Sequence, residues 1–288
     1  MKQLEGKTVF ITGGASGIGF GMVEAFAVHQ TKIAIADVDS ESVEARAQEL
    51  RALGAKVLPV VLDVRDRDSW ERAARQTEAA LGPVDILCNN AGVTAYKPLA
   101  ETPPEEWDWV IAVNLTGTFN GIHTFAQRMI DRKAGGHIVN TASTAGLYSM
   151  KNATVGVYAA SKYGVVGMSE MLRKELAPHS IGVSILCPGL VKTNIGPNAI
   201  KLRPGPQSAP VEPTPLQQRL RADSRRYGMD PRKVGDRVVL AVRHNDYYVI
   251  THPEFRPFVE ERFRTLLADF KESADPELPL DPDWTAKA

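Results

Sequence analysis

The chain has 288 residues, 43% of them apolar and 24% charged, enough for one large or two small globular domains and too apolar for disorder. Its 34 Lys and Arg balance 34 Asp and Glu, so a generic polyanion such as nucleic acid is not an expected partner, although local patches remain open. Two cysteines cannot build a disulfide framework and suit a reducing, cytoplasmic compartment, and no run of about 18 apolar residues offers a membrane span.

The N-terminal MKQLEGKTVFITGG meets Glu5 and then glycines before any long apolar stretch, unlike a signal peptide. Short β-branched runs then alternate with longer amphipathic segments. Residues 9–11 read as a buried strand followed by a helix over 17–29; 32–36 is the next strand and 40–53 the next helix, with Ser40 as N-cap. Further strands are predicted at 56–62, 84–88, 137–141, 182–187 and 247–250, and further helices at 66–81, 104–131 and 155–177. This alternation predicts right-handed βαβ units and a parallel sheet covered on both faces. Residues 197–215 hold six prolines (Pro197, Pro204, Pro206, Pro210, Pro213, Pro215) and are expected to form an irregular loop of the kind that serves as a lid. From Lys271 onward the chain is acidic and proline-containing, and reads as a tail.

Thr12-Gly13-Gly14-Ala15-Ser16-Gly17-Ile18-Gly19 directly follows the first strand and opens the first helix. Glycines there permit a tight turn and close backbone approach, while the helix N-terminus offers free N–H groups and positive dipole to a pyrophosphate. The second strand ends at Asp37, eighteen residues after Gly19. A carboxylate at that place accepts hydrogen bonds from both adenosine ribose hydroxyls and repels a 2′-phosphate. No Arg or Lys occupies 36–40 and Ser16 is not basic, so NAD is favoured over NADP.

Tyr158 and Lys162 stand at i and i+4, on one face of the predicted 155–177 helix. A nearby ammonium stabilises phenolate and is expected to bring the tyrosine pKa towards neutrality, where it exchanges protons usefully. Ser143 follows the fifth strand, at the carboxyl edge where open parallel sheets bind ligands. Together with Asp63-Val64, Asn89-Asn90-Ala91-Gly92, Asn114 and Pro188-Gly189-Leu190-Val191-Lys192-Thr193, these motifs occur in order over about residues 5–195. In that sequence of motifs the chain resembles the short-chain dehydrogenase/reductase family.

The resemblance implies a Rossmann-type doubly wound parallel sheet in a single α/β domain over 1–270, with a proline-rich substrate lid at about 194–232 and the acidic tail at 271–288. It implies Tyr158 as general acid/base, Ser143 as hydrogen-bond partner of the same substrate oxygen, Lys162 on the nicotinamide ribose, and Asn114 in a proton relay to solvent. Gly13, Ser16, Gly17, Ile18 and Gly19 would cradle the pyrophosphate of NAD, with Asp37 on the adenosine ribose and Asp63 and Val64 at the adenine. Asn90 and Gly92 would lie near the adenosine-side ribose, and Val191 and Thr193 at the carboxamide. TGxxxGxG and a three-residue Tyr–Lys gap resemble the shorter branch of the family, acting on alcohols and ketones, and disfavour epimerases and enoyl reductases.

Ser143 and Tyr158 are fifteen residues apart, slightly more than is usual in that branch, and the extra residues fall in 147–152. Tyr96, Leu147, Tyr148 and Met150 are candidates for an apolar, partly aromatic substrate wall, or else pack the loop. The lid and the 247–254 stretch resemble a subgroup oxidising benzylic alcohols of lignin-derived aryl ethers; steroid-, acyl- or polyol-type alcohols are alternatives, as is a non-catalytic dinucleotide sensor. Cys88 and Cys187 end separate strands and read as buried thiols. The six histidines show no metal-ligand spacing, so no metal is expected. Trp107, Trp109, Phe119 and Phe125 read as core, and the resemblance implies a homodimer or homotetramer. The balanced charge also divides unevenly. Residues 219–237 carry seven basic against three acidic groups and 267–288 six acidic against two basic, either two solvated surfaces or an acidic tail resting on a basic lid.

Overall fold

The computed structural model describes residues 1–149, 154–203 and 214–270. Among these residues one sheet is formed by β1 (Thr8–Thr12), β2 (Lys32–Asp37), β3 (Lys56–Val61), β4 (Ile86–Asn89), β5 (Gly136–Thr141), β6 (Ile181–Cys187) and β7 (Tyr248–Ile250). All neighbouring pairs are parallel, in the spatial order β3-β2-β1-β4-β5-β6-β7. The chain winds from β1 to one edge, returns, and winds from β4 to the other. Strand order therefore reverses between β1 and β4, and a crevice opens at their carboxyl ends.

Alternate residues of β1 show why the sheet needs cover on both faces. Val9 and Ile11 join one buried cluster with Met22 and Phe26 of α1 (Gly17–Ala27), Ala47 and Leu50 of α2 (Ser40–Ala52), and Val234, Val238 and Val242. Phe10, between them, enters a second cluster. There its ring meets Trp70 of α3 (Arg67–Leu81) at 5.7 Å between centroids and Phe125 at 5.1 Å. A strand buried on both sides reads as a continuous apolar run, which is how TVFIT reads.

The helix predicted over 104–131 is interrupted. α4 (Pro104–Ile111) passes through a π-helical turn, Ala112–Thr116, into α5 (Gly117–Arg132), and Asn114 sits in that turn. Its aromatic residues divide: Trp109 and Phe125 are buried, whereas Trp107 and Phe119 are exposed. α6 (Gly156–Leu176) then carries Tyr158 and Lys162. The N-cap of α2 is Asp39 rather than Ser40, because the Asp39 carboxylate accepts from the Ser42 N–H at 3.1 Å.

The proline-rich segment is also more regular than expected at both ends. α7 (Ile195–Lys201) contains Pro197, tolerated because first-turn N–H groups have no intrahelical partner. α8 (Pro215–Tyr227) begins on Pro215 with a Thr214–Gln217 capping box, and α9 (Pro231–His244) follows. Of the expected lid, residues 204–213 lie outside the described residues, as do Met150 and the tail 271–288.

Met1–Pro253 form one compact unit and Glu254–Ala288 a second, described as far as Phe270 and built on α10 (Arg256–Ala268). Cys88 and Cys187 are buried free thiols on β4 and β6, with β5 between them. Burial pushes both thiols up, Cys187 to about 12, which leaves neither a ready nucleophile. No helix among the described residues is long and apolar enough to cross a membrane.

Candidate active site

β1 delivers its chain end into the crevice, where the loop must turn into α1 without side chains in the way. Gly17 has φ +54°, and a Cβ there would lie 3.1 Å from Thr193 Cγ2; a Cβ on Gly19 would lie 2.0 Å from the Gly13 carbonyl oxygen. Ser16 occupies the N-cap position but makes no capping hydrogen bond. The result is a bare backbone cradle at a helix N-terminus, a fit for a dinucleotide pyrophosphate. Asn90 braces this loop: its Nδ2 donates to the Thr12 carbonyl at 3.0 Å, while Thr12 Oγ1 accepts from the N–H groups of Asn90 (2.8 Å) and Ala91 (3.0 Å).

A cleft of about 1160 Å³, open to solvent, runs from this loop over the strand ends. Gly13, Ser16, Gly17, Ile18, Asp37, Asp63, Val64, Asn90, Gly92 and Thr193 line it, together with Tyr158 and Lys162. Gly19 and Val191 are buried and do not line it. Asp37 Oδ2 accepts from Ala15 N–H at 3.2 Å and Oδ1 from Asp39 N–H at 3.3 Å; burial pushes its carboxyl up while these bonds pull it down. Asp63 is gripped by both oxygens in the Arg65 guanidinium fork, the closest contact 2.7 Å, and the Arg65 hydrogen bonds hold its carboxyl below the usual range. The Val64 carbonyl beside it accepts from Trp70 Nε1 (2.9 Å) and Asn120 Nδ2 (3.0 Å), which fixes the turn after β3.

At the other end stand the proton-transfer candidates. Buried Ser143 stands next to the Tyr158 phenol and pulls its pKa down, and the Lys162 ammonium lies 5.6 Å from the centroid of that ring; neither Ser143 nor Asn114 lines the cleft. Lys162 Nζ donates to the Thr141 carbonyl at 2.8 Å, and the side chain is only 3% exposed. Asn114 is fully buried: its Oδ1 accepts from Val93 N–H (2.8 Å), and its Nδ2 donates to the Val93 carbonyl (2.9 Å) and Ser161 Oγ (3.0 Å). A Cβ on Gly92 would come 3.4 Å from Asn114 Oδ1 and 3.6 Å from Lys162 Nζ, so Gly92 sits with this pair.

Burial dominates the titration of both groups. It pushes the Tyr158 phenol up to about 12, with the Ser143 hydrogen bond pulling the other way, and brings the Lys162 ammonium down to about 8. The expected lowering of Tyr158 by its lysine is not found: desolvation raises the phenol, and Ser143, not Lys162, is what pulls it down. Of the substrate-wall candidates, Tyr96 is half-buried, hydrogen-bonded by Thr94 and electrostatically coupled to Tyr158. Leu147 packs with Tyr247 and Tyr248 on a core cluster and Tyr148 is buried; none of the three lines the cleft. Among the described residues no group of three His, Cys, Asp or Glu side chains is placed to hold a metal.

Several contributors carry no motif of their own in the sequence. Thr141 and Ser161 act through hydrogen bonds to Lys162 and Asn114. His252, in the Thr-His-Pro-Glu that follows β7, holds the 188–190 turn. Its Nδ1 accepts from Gly189 N–H at 3.1 Å, which makes Nε2 the donor to the Leu190 carbonyl at 3.0 Å. Buried Glu106 binds Arg203 at 2.5 Å and Lys97 at 3.6 Å, fastening the end of α7 to α4. Only the Thr-His-Pro-Glu stretch, a cluster of polar residues directly after a strand, offered any sequence signal for these.

A parallel doubly wound sheet, a glycine cradle with a carboxylate at the end of β2, and Tyr158 and Lys162 lining the same cleft are the arrangement of a dinucleotide-binding α/β oxidoreductase. Residues 7–202 match the short chain dehydrogenase family. The chain is 37% identical over 270 residues to a C alpha-dehydrogenase of Sphingobium sp. (strain NBRC 103272 / SYK-6), covering 93% of this chain and 87% of that one. Among solved structures, a short chain dehydrogenase/reductase from Burkholderia phymatum in complex with NAD is 33% identical with a TM-score of 0.87, covering 97% of this chain and all of that one. The apo form of LigO from Sphingobium sp. strain SYK-6 is also 33% identical, with a TM-score of 0.80 over all of this chain and 95% of that one. The chain belongs to the short-chain dehydrogenase/reductase family.

Proposed function

We propose that the protein is an NAD-dependent dehydrogenase that interconverts a secondary alcohol and a ketone. The observation that carries this reading is that Tyr158 and Lys162, with buried Ser143 behind the tyrosine, line the cleft that also holds the glycine cradle and Asp37. Nicotinamide, when bound, supplies the hydride acceptor and donor. The chain's own residues bind, orient and move the proton. Tyr158 takes the proton from the substrate hydroxyl during oxidation and returns it to the carbonyl oxygen during reduction, with Ser143 hydrogen-bonded to the same oxygen. Lys162, anchored on the Thr141 carbonyl, faces the Tyr158 ring and provides the positive charge that favours phenolate. Asn114 holds the Gly92–Val93 backbone against Ser161 of α6 and so sets the spacing between that backbone and Lys162.

For the substrate, likeness to the C alpha-dehydrogenase supports an aromatic secondary alcohol, with benzylic alcohols of lignin-derived aryl ethers as the first class to test. Steroid-, acyl- and polyol-type alcohols belong in the same panel. We read the protein as cytoplasmic, on its two free buried thiols, and as a homodimer or homotetramer, on the exposed Trp107 and Phe119 of α4 and α5. NADH formation across the panel, with Tyr158→Phe alongside, tests the core of this function. The variant should lose about 10²–10⁴-fold in kcat while binding NADH normally; unchanged kcat refutes the role given to Tyr158.

A further inference from the structure

No cation stands beside Asp37 in the sequence, yet the fold brings one there. Lys201, the last residue of α7, places its ammonium 2.8 Å from Asp39 Oδ2 across a separation of 162 residues. Asp39 in turn donates its backbone N–H to Asp37 Oδ1. The Asp39 hydrogen bond first, and the fields of Asp39, Glu41 and Asp37 after it, hold the Lys201 ammonium above its ordinary pKa. α7 is itself part of the cleft, where Asn198 and Leu202 line the same space as Asp37 and Val38. The helix is fixed in place: Ala199 packs with Val93, Trp109 and Val110, and Arg203 just beyond is bound to buried Glu106.

This arrangement has a consequence for dinucleotide choice. Two carboxylates, Asp37 and Asp39, face one ammonium, so the ribose end of the cleft carries net negative charge and repels a 2′-phosphate. The Lys201–Asp39 contact is solvent-exposed, and contacts of that kind contribute little and exchange readily. Arg65, the other cation at this end, is already engaged by both oxygens of Asp63. We propose that Lys201 is a specificity-determining residue: a cation carried on α7 that binds the 2′-phosphate of NADP once the Asp37 charge is removed. With Asp37 neutral, the Asp39 charge is balanced by Lys201, whose ammonium is then the cation available to a 2′-phosphate. The inference rests on the NAD reading of the cleft.

Binding of ADP-ribose and of adenosine 2′,5′-bisphosphate, measured by calorimetry on the full chain, separates the two levels. Wild-type protein should bind ADP-ribose and reject the bisphosphate; the opposite preference refutes the NAD reading itself, before Lys201 is tested. Asp37→Ser should gain about 10–100-fold in affinity for the bisphosphate, the range of a charge-assisted hydrogen bond. NADP-dependent kcat/KM should rise in parallel. Asp37→Ser/Lys201→Ala should lose that gain while still binding ADP-ribose, Asp37→Ser/Lys201→Arg should keep it, and Asp37→Ser/Arg65→Ala should keep most of it. No gain in Asp37→Ser, or a gain that survives Lys201→Ala, overturns the proposal.

Discussion

Replacing Lys162 with Met should abolish turnover and yet make the ligand-free protein more stable at neutral pH. The side chain is almost fully buried, and burial holds its ammonium near 8 against an ordinary 10.5. At about 1.4 kcal/mol per pK unit, keeping that charge inside the protein costs about 3 kcal/mol. The 2.8 Å hydrogen bond to the Thr141 carbonyl offsets part of it, so a gain of about 1–3 kcal/mol is expected for the variant at pH 7. The sign follows from linkage. Below pH 8 both folded and unfolded chains carry the ammonium, and the penalty is complete. Between about 8 and 10.5 the folded chain sheds the proton first, so wild-type stability rises with pH and the gap closes. Above pH 10 a second process intervenes, because unfolded Tyr158 ionises while the folded phenol, held near 12, does not, and stability falls. Urea denaturation of both proteins at intervals from pH 7 to 10 is therefore the informative window. A variant less stable than wild type at pH 7, or a gap independent of pH across that window, refutes the reasoning.

Two further substitutions examine the scaffold around the cleft. His252→Phe removes the acceptor for Gly189 N–H and the donor to the Leu190 carbonyl. It should cost about 1–3 kcal/mol by thermal unfolding and raise the KM for NAD more than it lowers kcat, with His252→Asn partly restoring both. Gly19→Ala forces a Cβ to 2.0 Å from the Gly13 carbonyl oxygen. NADH fluorescence titration should show dinucleotide binding lost, and normal binding in a folded variant would show that the cradle has room to spare.

The elements legible in the sequence are those whose signal is local. A strand–glycine–helix junction, the i,i+4 pair Tyr158 and Lys162, and two-sided apolar strands such as 9–11 each fix their own geometry over a few residues. All three stand where the sequence puts them. Errors of detail arose where two local solutions compete. Asp39 and Ser40 are both good N-caps, and the structure uses the carboxylate one residue earlier. The 104–131 run has helical periodicity throughout, and nothing local in it marks the π turn that carries Asn114, whose partners Val93 and Ser161 lie far off in the sequence. Pro197 discouraged a helix that its first-turn position in fact permits.

What the sequence could not carry is the part of the site made by distant groups and by burial. Tyr158 illustrates burial: four residues away stands a lysine that argues for a lowered pKa, and nothing in the spacing says that both groups will be desolvated. Lys201 illustrates distance. Judged from 36–40 alone, the ribose end is purely acidic; judged in the fold, it is an acidic pair with a cation laid against it by α7. The two charged groups come from distant parts of the chain: Asp37 closes β2, and Lys201 closes α7, which Ala199 and the Arg203–Glu106 bridge hold at the cleft. A substitution at the end of α7 therefore changes the charge against Asp39, next to Asp37, across 162 residues of sequence, a coupling made by placement and carried by no motif.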